Sequence, residues 1–212
     1  MAAGEGRRLR PVTERWPKPV LPIDGRAVIA TLVRQLADEG IGPVTVVTGH
    51  LAEQVEELLQ GLDVRFARQP EPHGSADAVQ RALEAGVGLP ALVCAADTRF
   101  RPGDLAKLAT AEAAATIAYR ADPRKDRIAI ENGYVSKVVA PDSTRPFSAA
   151  PLWLLTEDIE LDELPGPPFE LSVAFQRAID AGKPVAAVEI GPTRDLTYPT
   201  DLVRENFPYL GS

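Results

Sequence analysis

The chain has 212 residues, of which 45% are hydrophobic and 25% charged, and its formal net charge is −7. This length suits one ordinary domain with a buried core, and the excess of acidic residues argues against broad nucleic-acid binding, which requires a basic surface. No apolar run is long enough for a membrane span, and the single cysteine, Cys94, excludes an internal disulfide and a thiol-rich metal site.

The first predicted element is a loop of small residues at the N-terminus, with the sequence Ala2-Ala3-Gly4-Glu5-Gly6. Residues of this size let backbone N–H groups come close to a bound group. Arg8 and Lys18 add positive charge to the same region, which suits a phosphate chain. A flexible basic N-terminus is the alternative interpretation. A P-loop is excluded because Gly-Lys-Ser/Thr is absent, and a dinucleotide fingerprint would need a glycine where Leu9 stands.

Only Met1 precedes this loop, whereas a phosphate-binding glycine loop in an α/β fold normally follows a buried strand. We therefore expect that the first core strand is missing from this sequence and that the native chain starts upstream of Met1. The alternative is a protein that lacks the strand, and mass spectrometry of the native N-terminus distinguishes the two. Because no signal peptide precedes the loop, the expected location is the cytoplasm.

Predicted helices and strands alternate over the first half of the chain. The helices are expected at 26–39, at 51–59 with Leu51, Val55, Leu58 and Leu59 facing inward, at 74–85, and from Pro102 to Ala109. Short apolar strands between them, at 44–47, 64–66 and 91–95, are typical of the interior of a parallel sheet. This alternation predicts an α/β fold with a Rossmann-like, doubly wound, mostly parallel sheet.

The second half is richer in strands. Asn132-Gly133 lies between the predicted strands 127–130 and 134–139, and this dipeptide is a strong hairpin signal. A loop at 141–146, a strand at 152–155, a helix at 170–181, a strand at 185–190 and a helix at 199–206 are expected to follow. No internal repeat or domain linker is visible, so we treat residues 1–212 as a single domain.

The N-terminal string resembles the signature of the sugar-phosphate nucleotidyltransferases, or NDP-sugar pyrophosphorylases, which is Gly-x-Gly-x-Arg-Leu-x-Pro-x-Thr followed by Pro-Lys-Pro-x-Leu-Pro. The chain matches this signature at Gly4, Gly6, Arg8, Leu9, Pro11, Thr13, Pro17, Lys18, Pro19, Leu21 and Pro22. The resemblance is to the short, single-domain bacterial type. It implies that Ala2, Ala3, Gly4 and Gly6 bind the nucleotide, and that Arg8 and Lys18 are catalytic residues on the phosphates.

The same resemblance implies the nucleotide-diphospho-sugar transferase type of α/β fold, with a small β-rich subregion on the sugar side. It places a nucleotide half at about residues 1–120 and an acceptor half at about residues 121–212. The acceptor half departs further from the family, because Val139-Ala140-Pro141 stands where the family has Glu-Lys-Pro. The resemblance therefore covers the acceptor half less fully than the nucleotide half.

Asp97 follows the predicted strand 91–95, at the edge where open α/β sheets bind ligands. The family has an aspartate here that holds Mg²⁺, although Ala96 replaces the glycine that usually precedes it. A loop or helix-capping aspartate is the alternative. One side chain rarely holds Mg²⁺ alone against its hydration shell. The segment 194–202 resembles the family's late Asp-x-x-Thr-Pro-x-Asp-Leu, although Tyr198 stands between the threonine and the proline, or the alignment shifts by one residue. This match implies Asp195 as the second metal ligand and puts Asp201 in the first turns of the closing helix.

The segment from Gln69 to Ala78 resembles the family's Gln-x-x-x-x-Gly-Thr-Ala-x-Ala, in which the glutamine and the glycine backbone contact the base. It implies that Gln69, Gly74 and Ser75 bind the nucleotide, while a plain helix start is the alternative. Glu170 resembles the acidic residue that holds sugar hydroxyls, although a first-turn glutamate explains it almost as well. The two histidines, His50 and His73, lack a third partner at a zinc-binding spacing and are interpreted as surface or loop residues.

The function implied by the resemblance is Mg²⁺-dependent condensation of an NTP with a sugar 1-phosphate, which gives an NDP-sugar and pyrophosphate. Two alternatives stay open: a non-sugar phosphate acceptor such as phosphocholine, and a catalytically weak nucleotide-sensing homologue. The expected partners are an NTP and a phosphorylated small molecule, without nucleic acid or membrane. A homo-oligomer is compatible with the sequence.

Overall fold

The computed structural model describes residues 1–111, 115–122, 127–207 and 209. The chain forms two compact units, each of which is described by itself. Unit 1 comprises Met1–Pro72, Ala95–Phe100 and Thr193–Ser212, and unit 2 comprises His73–Cys94 and Arg101–Pro192. The division near residue 120 into nucleotide and acceptor halves stays a prediction, because this spatial grouping does not report which ligand a residue binds.

The helices in the described residues are α1 (Val28–Asp38), α2 (Ala52–Leu58), α3 (Ser75–Glu84), α4 (Asp104–Ala109), α5 (Leu171–Asp180) and α6 (Pro199–Asn206). The strands are β1 (Pro22–Ile23), β2 (Arg26–Ala27), β3 (Val44–Thr48), β4 (Val64–Arg68), β5 (Ala91–Cys94), β6 (Thr98–Arg99), β7 (Ala115–Ala121), β8 (Ala129–Glu131), β9 (Tyr134–Lys137), β10 (Phe147–Leu155), β11 (Val185–Glu189) and β12 (Arg194–Asp195). Short 3₁₀ helices occupy Arg7–Leu9, Val12–Glu14 and Lys18–Val20.

Unit 1 is built on the parallel pair β3 and β4. Its main hydrophobic cluster contains residues of β3, α1 and α2 together with three residues outside these elements: Ile29, Ala30, Val33, Val46 and Val55, with Ala2, Leu59 and Ala96. Ala2 forms a parallel bridge with Thr48, and its N–H donates to the carbonyl of Val47 at 2.7 Å. The N-terminal loop therefore starts at the carboxyl end of β3, the edge where ligands bind in this class of sheet. Whether a strand precedes Met1 stays a prediction.

Unit 2 contains a six-stranded sheet in the order β5-β10-β7-β11-β9-β8. The pair β7 and β11 is parallel, and the other neighbours in this sheet are antiparallel. Large side chains of β7, β10 and α5 are fully buried, among them Ile117, Leu152 and Phe175. The predicted α/β class is confirmed, with parallel and antiparallel pairs together.

Most predicted elements are present, including the hairpin turn, where Asn132 and Gly133 have φ angles of 51° and 83°. Two details of the predicted helices are wrong. Leu58 is 41% exposed, because it lies about 100° around the helix from the buried Leu59. Pro102 lies before α4, since Gly103 adopts the left-handed conformation and the helix begins after it. No helix within the described ranges combines the length and apolar character needed to cross a bilayer.

Candidate nucleotide and cation site

The N-terminal loop in unit 1 is closed on itself around Gly6. The carbonyl of Gly6 accepts hydrogen bonds from the Leu9 N–H at 2.8 Å and from the Thr13 hydroxyl at 3.0 Å. Gly6 has a φ of 62°, and a Cβ at this position would lie 2.9 Å from Thr13 Cγ2, so the tight turn requires glycine. Within the described residues, the backbone N–H groups of residues 4–8 donate to no protein acceptor. They form a row of donors suited to an anion.

Arg8 differs from the basic residues on either side of it. Arg7 and Arg10 both form ion pairs with Glu5, at 2.8 Å and 3.2 Å, and the hydrogen bond from Arg7 is the main cause that lowers the pKa of Glu5. Arg8 is exposed and has no ion pair with a carboxylate among the described residues. Its charge is therefore not neutralised locally and is available to a phosphate.

The loop is also fastened to the end of β3 by His50. The N–H of His50 donates to the Ala3 carbonyl at 3.1 Å, and its ring Nε2 lies 2.7 Å from the Thr13 carbonyl. His50 lies in a loop, as predicted, and is half-buried. It braces the loop that carries the row of N–H donors.

Three of the residues predicted to bind the nucleotide, Ala2, Ala3 and Gln69, meet at the carboxyl ends of β3 and β4. Gln69 is buried, and its N–H donates to Thr48 at 2.8 Å. A Cβ added to Gly49 would lie 2.8 Å from the Ala3 Cβ and 2.9 Å from the Gln69 carbonyl oxygen. The missing side chain at Gly49 is thus what allows the N-terminus and the β4 end to approach each other.

Lys18 and Asp97 are in direct contact in unit 1. Lys18 Nζ lies 2.5 Å from Asp97 Oδ2, and the two side chains are only 14% and 26% exposed. The other carboxylate oxygen of Asp97 accepts a hydrogen bond from the Thr98 hydroxyl at 3.2 Å. Lys18, which is predicted to be catalytic, and Asp97, which is predicted to bind the metal, are therefore in contact.

Asp195 is carried by the strand next to Asp97. β12 pairs with β6 in antiparallel register, with Asp195 opposite Thr98, and Asp97 is the residue before Thr98. Asp97 and Asp195 are therefore separated by a single residue of register. Asp201 lies in the first turn of α6, as predicted, where its carboxylate accepts the N–H groups of Thr197 and Tyr198, both at 2.8 Å.

The chemistry of this pair of carboxylates fits Mg²⁺, a hard cation that prefers oxygen ligands and keeps several waters or substrate oxygens. The ammonium of Lys18 against Asp97 Oδ2 shows that this oxygen is oriented toward a cationic group. No cluster of three or more potential protein ligands occurs in the part of the chain that the structure describes. A cation on Asp97 and Asp195 would therefore depend on phosphate oxygens for further ligands.

Sequence reasoning missed a group of four charged residues in unit 1. The guanidinium of Arg194 donates to both oxygens of Asp24, at 2.8 Å and 2.9 Å, and to Glu205 at 2.5 Å. Arg99 also pairs with Asp24. The hydrogen bond from Arg194 is the main cause that lowers the pKa of Asp24. One signal was available, since the dipeptide Asp24-Gly25 is a hairpin-turn pattern.

The three remaining predicted residues lie together in unit 2. The hydroxyl of Ser75 donates to Glu170 Oε2 and accepts the N–H of Leu171 at 2.9 Å. Gly74 has a φ of 106° and a ψ of 177°, and a Cβ there would lie 2.3 Å from the Phe169 carbonyl oxygen. The expected proximity of a base at Gly74 stays a prediction, because on its Cβ side this glycine is packed against protein backbone.

Replacing Gly74 by alanine is expected to reduce the free energy of unfolding by about 2 kcal/mol or more, since this φ/ψ region is essentially restricted to glycine and such strain costs on the order of 1–3 kcal/mol. The clash with the Phe169 backbone adds to that strain. Urea denaturation of the purified variant measures the loss. Gly88→Ala is the matched control, because a Cβ at Gly88 meets no atom within 4 Å; equal stability of the two variants would contradict the prediction.

An α/β fold whose N-terminal loop offers N–H donors, with Lys18 paired to Asp97, is compatible with a site for a phosphorylated ligand. The chain belongs to the family of MobA-like NTP transferase domains, whose profile matches residues 1–187. The resemblance stated from the N-terminal motif is therefore confirmed.

Curated relatives match parts of the chain. A CMP-5'-(3-aminopropyl)phosphonate synthase of Streptomyces rubellomurinus is 33% identical over 56% of this chain and 20% of its own length. A UTP–glucose-1-phosphate uridylyltransferase of Haloferax volcanii is 35% identical over 37% of this chain and 34% of its own length. An N-acetylmuramate alpha-1-phosphate uridylyltransferase of Neisseria meningitidis is 33% identical over 46% of this chain and 45% of its own length. The matches thus span less than half the length of these relatives.

Solved structures resemble nearly the whole chain. An inositol-1-phosphate CTP transferase from T. maritima superposes with a TM-score of 0.80 at 19% identity, covering 94% of this chain and 88% of that chain. A UDP-glucose pyrophosphorylase complexed with UDP-glucose gives a TM-score of 0.81 at 20% identity, covering 99% and 96%. At sequence identities of 19% and 20%, these structural similarities establish the fold of the chain and not its activity.

Proposed function

We propose that the chain catalyses Mg²⁺-dependent transfer of a nucleotidyl group from an NTP to a sugar 1-phosphate, with release of pyrophosphate. The observation that carries the proposal is the contact of Lys18 with Asp97, on a segment paired with the strand of Asp195. Membership of the NTP transferase family supports the reaction class. The sugar 1-phosphate is supported by the names of two relatives, which act on glucose 1-phosphate and N-acetylmuramate 1-phosphate.

The reaction requires the protein to bind two polyanions next to each other. A phosphate monoester is largely ionised at neutral pH because its second pKa is about 6, so its oxygen can attack the α-phosphorus without a general base. Catalysis then depends on positioning and on neutralisation of charge. The N–H groups of residues 4–8, Arg8 and Lys18 bind phosphate oxygens, and Asp97 and Asp195 hold the cation. Mg²⁺ supplies positive charge to the phosphates.

The finer assignments belong to the same proposal. Ala2, Ala3, Gly4, Gly6 and Gln69 bind the nucleotide from unit 1. Gly74 and Ser75 are proposed as further nucleotide ligands, and Glu170 as a ligand of sugar hydroxyls. The proposed place of action is the cytoplasm, where both substrates are available.

A non-sugar acceptor is the second candidate. It is favoured by the phosphonate in the name of the Streptomyces rubellomurinus relative and of a 2-aminoethylphosphonate cytidylyltransferase that is 41% identical over 26% of this chain. Val139 in place of the family's glutamate after the hairpin also separates this chain from enzymes for sugar acceptors.

A pyrophosphate-release screen tests both candidates. Each common NTP is combined with hexose 1-phosphates, phosphocholine and 2-aminoethylphosphonate, with Mg²⁺ and again with EDTA. We expect Mg²⁺-dependent release with one NTP and a sugar 1-phosphate. Release with phosphocholine or the phosphonate alone would identify the second candidate, and nucleotide binding without release from any pair would contradict both and indicate a nucleotide sensor.

A further inference from the structure

We propose that Asp24 is a positioning residue for the cation site, because it joins β6, which begins directly after Asp97, to β12, which carries Asp195. This inference rests on the proposed function, since it takes those two carboxylates as ligands of the cation. Asp24 itself lies in the turn between β1 and β2 and is not among the residues proposed to touch substrate.

The strands β6 and β12 have only two residues each. One of their two register pairs is Arg99 opposite Arg194, and the other is Thr98 opposite Asp195. Like charges directly opposite each other destabilise an antiparallel pair. An anion placed between these two guanidinium groups offsets their repulsion.

Asp24 is that anion. Arg194 donates to both of its carboxylate oxygens, and Arg99 pairs with the same Asp24 Oδ2. One carboxylate thus binds a side chain from each strand, at the register position next to the Thr98 and Asp195 pair. Glu205 takes the remaining Nε of Arg194 at 2.5 Å but has no ion pair with Arg99 among the described residues.

The position of Asp24 is fixed from several directions. It has a φ of 53° and precedes Gly25, whose φ is 70°, which gives a tight Asp-Gly turn. Its N–H donates to the carbonyl of Glu205 at 3.2 Å. Asn206 accepts the Gly25 N–H at 2.8 Å and donates to the Pro22 carbonyl at 2.8 Å. The turn is therefore tied to the end of α6 and can set the spacing of the two strands.

Loss of the contacts between Asp24 and the two arginines should lower the affinity for the cation more than it lowers the stability of the fold. The side chains of Asp24, Arg99 and Arg194 are 47%, 38% and 41% exposed, and exposed ion pairs contribute little to stability. Mg²⁺ requires a nearly ideal arrangement of its ligands, and loss of a residue that orients metal ligands typically lowers metal affinity by about 10- to 100-fold.

The test is Mn²⁺ binding, measured from the electron paramagnetic resonance signal of the free ion in the presence of saturating NTP. We expect Asp24→Asn to bind Mn²⁺ about 10-fold more weakly than the wild type, with its thermal midpoint nearly unchanged. Binding of NTP in the absence of a divalent cation should not change. Glu160→Gln, which removes an exposed carboxylate paired with Lys183 in unit 2, is the matched control and should keep wild-type affinity.

A double variant separates the positioning role from a general loss of charge. Arg99→Thr removes one of the two facing guanidinium groups, so Asp24→Asn combined with Arg99→Thr should recover most of the lost Mn²⁺ affinity. If Asp24→Asn does not fold, Arg194→Lys serves instead, because lysine cannot make the two parallel bonds to Asp24; the same 10-fold loss is then expected.

The proposal is overturned if Asp24→Asn binds Mn²⁺ like the wild type, or if the double variant is no better than Asp24→Asn. If the wild type releases pyrophosphate and Asp24→Asn keeps full Mn²⁺ affinity, the positioning role of Asp24 is wrong and the proposed function is unaffected. If Mn²⁺ binding depends on Asp24 but the wild type turns over no acceptor, the proposed function is wrong and the positioning role of Asp24 is unaffected.

Discussion

Replacement of Lys18 by alanine is expected to lower the rate of pyrophosphate release by about 10²-fold or more, the typical cost of removing one preorganised charge-stabilising group. Lys18 is the largely buried cation at Asp97, and the proposed reaction brings two polyanions to that place. The fold should remain intact, because the change shortens one side chain of a 3₁₀ helix and leaves the hydrophobic clusters of unit 1 untouched. A continuous pyrophosphate assay gives kcat and KM, and circular dichroism checks the fold.

Lys183→Ala provides a matched control for this experiment. Lys183 is also paired with a carboxylate, Glu160, at 3.4 Å, but it lies in unit 2 and outside the proposed site. The control should keep the wild-type rate. A folded Lys18→Ala protein with a near-normal rate would show that the lysine does not act on the phosphates and would remove the main support for the proposed reaction.

The elements that the sequence predicted well are those with a local signal. α6 runs over Pro199–Asn206 as expected, because proline is favoured at the first position of a helix and an acidic residue in its first turn. The Asn132-Gly133 turn was equally predictable, since both residues of this turn type need a positive φ. β10, in contrast, begins at Phe147 and not at residue 152, because its first five residues include two alanines and a proline, which are depleted in strands.

The proximity of Lys18 to Asp97 was implied only by the family resemblance. Neither residue has a neighbour in the sequence that predicts the other, and a contact between distant segments depends on the whole packing of unit 1. The group around Asp24 was not predicted at all. It depends on the register of β6 and β12, and strands of two residues are too short to show any periodicity.

Ser75 and Glu170 illustrate the same limit in unit 2. The sequence suggested separate roles for them, one on the nucleotide and one on the sugar, whereas the structure joins them by a hydrogen bond. The cause is Gly74, whose missing side chain lets the Phe169 backbone approach, with Phe169 donating to the His73 carbonyl at 2.6 Å. That approach brings the start of α5 to Ser75, which no local pattern could indicate.

Asp97→Asn is expected to lower the rate of pyrophosphate release by about 10²-fold or more, since it removes the charge proposed to hold the cation while keeping the shape of the side chain. Its apparent requirement for Mg²⁺ should rise, because an amide oxygen is a weaker ligand than a carboxylate. Titration of the rate with Mg²⁺ measures both effects. Asp63→Asn, an exposed change in the same unit, should behave like the wild type, and an unchanged Mg²⁺ requirement in Asp97→Asn would exclude this residue as a ligand.

The double variant Lys18→Ala with Asp97→Asn tests whether the two residues act together in catalysis. Residues that act as one catalytic unit are strongly non-additive, and these two side chains share a single contact of 2.5 Å. If both organise the same phosphate group and its cation, the second change should cost much less than it costs alone, so the double variant should be about as slow as the slower single variant. Fully multiplicative losses would mean that the two residues act independently and that their contact is an ion pair without a shared catalytic role.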